Sequence, residues 1–254
     1  MSEVFSSHRL WLLIRGDFVA GYRSLLVVFG ALAGVILVAA LVTQGWILFG
    51  GGFYRTFFGL ALFAWGLVAS SRAFRPLHDR TRNEAFLLVP ASSLEKTLAR
   101  LLAVTIGLAS FLLAFTALVS LVVETLNLLL SGGRYSFFNP FEPAVLEWIL
   151  VYFFLQSFYF LGGAWFRRAH FVKTTLALTL ATAAFVAFTA VTLHVVSAGY
   201  RVDVGDVLFA LGQLEGAAGI GTQAALVATA LLVAAACWWI AWLRVKEVQV
   251  SDGV

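Results

Sequence analysis

Residues able to do chemistry are few in this 254-residue chain, and they stand far apart. The four histidines, His8, His78, His170 and His194, include no pair at the i, i+4 step that sets two imidazoles on one helix face to hold a metal, and HExxH is absent. The single cysteine, Cys237, can form neither an internal disulfide nor a cysteine zinc site. No GxSxG places a serine nucleophile, and no GxxxxGK[ST] loop is present to cradle ATP phosphates. No catalytic residue, metal ligand or cofactor is therefore assigned to this chain. Polar groups inside the apolar runs are mostly Ser and Thr, which bond to their own helix backbone or to a neighbouring helix. Gln156 is the notable exception, and with Tyr159 one turn on it is a candidate for lining a path or gate. Ionisable groups fall at the ends of the runs, with Glu124 expected where it reaches headgroups or water. Proton- or sodium-driven transport needs a charge in mid-run, so energy is expected to come from outside the membrane.

The densest charge lies in residues 72–102, RAFRPLHDRTRNEAFLLVPASSLEKTLARLL. A basic stretch with Arg75, His78, Asp79 and Arg82 leads to Glu84 and the apolar step Phe86–Val89, then to Pro90 and a helix start. Ser92 or Ser93 can cap that helix, and Glu95 in its first turn complements the positive end of the helix dipole. Lys96 and Arg100 follow, at the expected boundary of the next apolar run. A short apolar step framed by charge suits docking to a protein partner.

The elements that must carry these residues follow from composition. Hydrophobic residues make up 61% of the chain and charged residues 12%, with mean hydropathy +0.95. About a quarter of a soluble domain is charged, so this chain cannot clothe itself for water and its solvent is expected to be lipid. The net charge of +4 is explained by where the loops lie, and no nucleic-acid partner is expected. The spacing predicts an all-α integral membrane domain over residues 1–254. Six spans are expected at about 25–43, 53–71, 97–123, 145–166, 172–196 and 223–243. Residues 1–24 carry Leu10, Trp11, Ile14, Phe18 and Tyr22 at three- and four-residue steps, which predicts an amphipathic elbow helix in the interface. Arg15, Asp17 and Arg23 interrupt this run, so a cleaved signal peptide is not expected. Residues 72–96 form an inner connection. Residues 197–222, glycine-rich around Val207–Leu214, form an outer segment that is partly re-entrant. Gly30 with Gly34, and Gly162 with Gly163, permit close helix approach.

Fourteen of the seventeen Lys and Arg residues fall on one side of this topology. Arg9, Arg15 and Arg23, the cluster from Arg72 to Arg100, the turn with Arg167, Arg168 and Lys173, and Arg244 with Lys246 share that side. Only Arg55, Arg134 and Arg201 oppose them. The positive-inside rule then puts both termini in the cytoplasm.

The stretch Glu84–Arg100, EAFLLVPASSLEKTLAR, resembles the cytoplasmic connection of type-2 ATP-binding-cassette (ABC) permeases, the small bacterial six-helix membrane subunits. The elbow, the six spans and the outer segment before the last span fit the same family. The resemblance implies that the connection contains a coupling helix seated in a separate cytoplasmic ATPase subunit. Arg75, His78, Asp79, Arg82, Glu84, Phe86, Leu87, Pro90, Ser92, Glu95 and Lys96 would form that interface, with Arg167, Arg168 and Lys173 as a second inner contact. It further implies a dimer with a second permease copy or homologue in the bacterial inner membrane, in contact with membrane lipids. ATP and Mg would be bound on the partner, and the chain would not itself be an enzyme. Export is the expected direction. A substrate-binding membrane module or scaffold without its own transport cycle, and an intramembrane enzyme, remain alternatives.

Overall fold

The computed structural model describes residues 6–42, 51–78, 91–131, 136–200 and 220–252. Among the described residues all regular structure is helical: α1 (Ser7–Val42), α2 (Gly51–Arg72), the short α3 (Arg75–His78), α4 (Ser93–Leu102), α5 (Leu108–Ser131), α6 (Pro143–Trp165), α7 (His170–Tyr200) and α8 (Ile220–Asp252). A single π-helical turn, Ala103–Gly107, joins α4 to α5. Among the described residues, five stretches are long and apolar enough to cross a membrane: Gly52–Leu77, Ser93–Leu129, Pro143–Trp165, His170–Val195 and Ala224–Val248. This is the make-up of a multi-pass membrane protein. The other expected span coincides with the second half of α1, where Leu25–Ala40 is a shorter apolar stretch.

Two expectations meet a different local structure. The first helix is unbroken from Ser7 to Val42, so no helix end separates an elbow from a span near residue 24. Gly16 and Gly21 weaken a helix by about 1 kcal/mol each but do not end it, and no proline stands there to do so. Glu124 is not at a solvated helix end. It is 1% exposed, because α5 continues past Val123 to Ser131 and carries the carboxylate inside the bundle. There it accepts hydrogen bonds from the Tyr54 hydroxyl at 2.9 Å and the Ser136 backbone N–H at 3.3 Å. The returning segment is pinned again by the Phe138 N–H on Ser120 Oγ at 3.3 Å. The re-entrant expectation for 197–222 lies mostly on residues 201–219, outside the described residues.

Helix α6 is central and packs against α2, α7 and α8. Glycines allow this closeness. A Cβ on Gly163 would lie 2.7 Å from the carbonyl oxygen of Ser71, and one on Gly66 would lie 2.4 Å from the ring of Tyr152. The Tyr152 hydroxyl in turn donates to the carbonyl of Val104, inside the π-helical turn. A π turn shifts the backbone ladder from i−4 to i−5 acceptors, and the tyrosine supplies a donor from the neighbouring helix at that irregularity. Phe29, Tyr54, Phe58, Leu62, Leu112 and Tyr152 belong to one buried cluster. A second, with Ala73, Phe74, Leu77, Phe160, Ala241 and Val245, joins the turn after α2 to α3, α6 and α8 at the end where the arginines gather.

Candidate functional site

The arginine-rich end of the bundle holds the residues singled out by sequence. After α2 the chain turns through Ala73 and Phe74 into α3, and these apolar side chains with Leu77 plug the second cluster. The Phe74 ring meets Phe160 edge-on at 4.8 Å between centroids. On the far side of the connection, the Arg100 guanidinium donates back to the Ala73 carbonyl. Both flanks of the connection are thereby fixed to each other. Asp79, Arg82, Glu84, Phe86, Leu87 and Pro90 lie outside the described residues, as does the side chain of His78.

Helix α4 begins as its sequence foretells. Ser92 is the N-cap in extended conformation, and a capping box is complete: the Glu95 N–H donates to Ser92 Oγ at 3.2 Å, and the Ser92 N–H donates to Glu95 Oε2 at 2.8 Å. The other carboxylate oxygen does something the local sequence gave no sign of. Glu95 Oε1 accepts from the Ser6 backbone N–H at 2.7 Å, at the start of α1, and lies 3.3 Å from Arg9 Nη2. One buried carboxylate thus serves the N-termini of two helices separated by 89 residues. Two backbone donors and a guanidinium surround it, and each makes the charge-assisted kind of hydrogen bond that favours its ionised form. Glu95 and Lys96 are both buried, so neither presents its side chain outward. No short-range pattern could have found the Ser6 and Arg9 contacts, because they depend on how α1 lies against α4.

Arg75, Arg167 and Arg168 are all exposed, and the fold brings them together. With Arg72, Ser71, Ala169 and His170 they line a cleft of about 1130 Å³ between the end of α2 and the turn into α7. Ala169, in that turn, has a positive φ of 53°, which swings the chain sharply into α7. Its wall continues onto Val68, Phe171 and Val172. Lys173 stands just outside, 5.8 Å over the ring of Phe166.

Gln156 and Tyr159 lie in helix–helix packing. Gln156 is fully buried, and its Oε1 accepts from Trp238 Nε1 of α8 at 3.3 Å while its amide nitrogen is buried with no hydrogen-bond partner. Tyr159 pairs through its hydroxyl with Thr175 of α7 at 3.0 Å. No family model, no curated protein and no solved structure matches this chain.

Proposed function

We propose that the chain is the membrane-spanning permease subunit of a type-2 ATP-binding-cassette transporter, an exporter in a bacterial cytoplasmic membrane with both termini in the cytoplasm. Two such subunits would enclose the path, and ATP and Mg would be handled by a separate cytoplasmic ATPase. The observation that carries this reading is the Glu95 junction. A partner that pushes or pulls on residues 79–90 acts on a segment whose following helix, α4, is tied through Glu95 to Ser6 and Arg9 of α1. Its preceding flank is tied through Arg100 to the end of α2. Force applied at the connection would therefore reach three membrane helices at once, as powering by an external ATPase requires. In this reading Glu84 and Phe86–Val89 touch the partner, whereas Glu95 is a positioning residue.

The test is co-purification of the full chain with an ATP-binding-cassette ATPase from the same cell. We expect Glu84→Arg combined with Phe86→Asp to lower ATPase retention by about tenfold, as loss of an interface anchor does, while the chain still elutes as a single species. Unchanged retention and unchanged hydrolysis in that variant would overturn the coupling role.

A further inference from the structure

We infer that the cleft lined by Arg72, Arg75, Arg167 and Arg168 is a binding site for the phosphate-bearing headgroup of an anionic phospholipid. The inference rests on the chain being embedded in a membrane, not on its being a transporter subunit.

Four arginines from two separate parts of the chain line one concavity, and among the described residues no carboxylate lines it. Like charges gathered without a counter-charge repel one another, so such a cluster is stabilised by an anion. Guanidinium is suited to phosphate because its planar fork donates two parallel hydrogen bonds. The turn Ala169–Val172 that opens α7 also lines the cleft, and the first backbone N–H groups of that helix have no acceptor within it. These main-chain donors add to the arginines; they do not carry the site alone.

The wall decides between a soluble phosphate and a lipid. Val68, Phe171 and Val172 line the same cleft as the arginines, and Phe171 and Val172 are exposed. A free phosphate has no use for an apolar wall. A phospholipid places its phosphodiester against the cations and its glycerol and first methylenes along that wall, which leads onto the apolar stretch of α7. A volume of about 1130 Å³ takes a headgroup and glycerol, many times what a bare phosphate fills. An ethanolamine or choline group would bring a further cation to a site already holding four, so an anionic lipid such as phosphatidylglycerol is the better fit. Basic pockets between membrane helices recognise lipid headgroups in this manner.

The experiment uses the full chain in detergent, with bound lipid counted by native mass spectrometry while phosphatidylglycerol or phosphatidylcholine is titrated in. We expect retention of phosphatidylglycerol over phosphatidylcholine, and retention about thirtyfold weaker in Arg72→Gln/Arg168→Gln, on the basis of each basic residue's contribution at a membrane surface. Arg55→Gln, at the opposite end of α2 from Arg72 and paired there with Glu142, is expected to leave retention unchanged. If the glutamine variant does not fold, Arg72→Lys/Arg168→Lys keeps the charge and loses the fork, and should still weaken retention severalfold. Equal retention of the two lipids, or equal retention by native chain and variants, overturns the proposal. Displacement of the lipid by millimolar inorganic phosphate would assign the cleft to a soluble anion instead. Absence of lipid, with an ATPase that co-purifies only when the arginines are intact, would assign it to protein contact. Failure of the transporter reading would leave the lipid titration unaffected, so the two can be told apart.

Discussion

Helices α2 and α7 are both apolar and both long enough to cross a membrane, yet they live in opposite surroundings. Over the most apolar 18 residues of the α2 span, mean hydropathy 1.5, 44% of the positions are buried; over those of the α7 span, mean hydropathy 2.1, none is. The more hydrophobic helix is the less buried one. In water this would be perverse, but lipid is as apolar as a neighbouring helix, so apolar character supplies no force that draws helices together. What distinguishes α2 is shape. Gly59 and Gly66 open its surface to Trp148 and Tyr152 of α6, and the carbonyls of Ser70 and Ser71 accept the close approach of Gly163. Helix α7 meets α6 tightly only near its start, where Gly162 faces Thr174, and from Ala181 to Thr192 every residue is exposed.

That contrast can be broken by substitution, and the expected effects fall in a clear order. Gly163→Ala should be the most damaging, because the new methyl would meet the backbone of Ser71 at 2.7 Å and backbone cannot rotate away. We expect a loss of about 3 kcal/mol, or failure to fold, in thermal or denaturant unfolding in detergent. Next comes Gly66→Ala, which pushes on the Tyr152 ring at 2.4 Å; about 2 kcal/mol is expected. Combining it with Tyr152→Leu should cost less than the sum of the two single changes, and strict additivity would show that the glycine does not act through the tyrosine.

Glu95→Gln should cost about 1.5 kcal/mol, since the charge that satisfies Ser6, Arg9 and Ser92 is gone while the shape is kept. Hydrogen exchange of the first amides of α1 should quicken in that variant, with α6 unchanged. The smallest effect is expected on α7: Ala184→Leu and Ala187→Leu should stay within about 0.5 kcal/mol for the isolated chain. The same holds for Gly30→Ala, which has nothing within 4 Å. A loss above 2 kcal/mol at any of these would mean that the exposed faces are covered, and the contrast with α2 would fall.

Much of the fold was legible in the sequence, and the reason is specific. Backbone groups in lipid must bond within their own segment, so a long apolar run is a helix almost by necessity, and helices α2 and α6 begin and end within two residues of the expected spans 53–71 and 145–166. A cap at Ser92 or Ser93 and an acid in the first turn were readable because these signals lie within four consecutive residues; that Ser92 is the cap, in a box closed by Glu95, is what the structure adds. What escaped reading depends on which helices touch. Glu124 looks like a residue at the end of a run until Tyr54 is brought beside it. Gly66 looks like any glycine in a membrane helix until Tyr152 faces it. The pair Gly30 and Gly34, a familiar contact spacing, meets nothing, whereas Gly162 and Gly163 meet neighbours at short range. Arg75 and Arg167 were visible as charges on one side, but their convergence in a cleft needs the end of α2 to meet the turn before α7.

The Glu95 junction also sets an order of events during synthesis. Helix α1 leaves the ribosome with its first turn lacking the carboxylate that later holds it, since Ser6 precedes Glu95 by 89 residues. At 5–20 residues per second that interval is roughly 4–18 s. Throughout it, Phe29 of the first helix can already meet α2 through Trp65, but the first turn has no carboxylate from α4 to hold it. Only when α4 emerges does the Glu95 carboxylate reach Ser6 and Arg9, so the start of the first helix is fixed by a residue made 89 positions later.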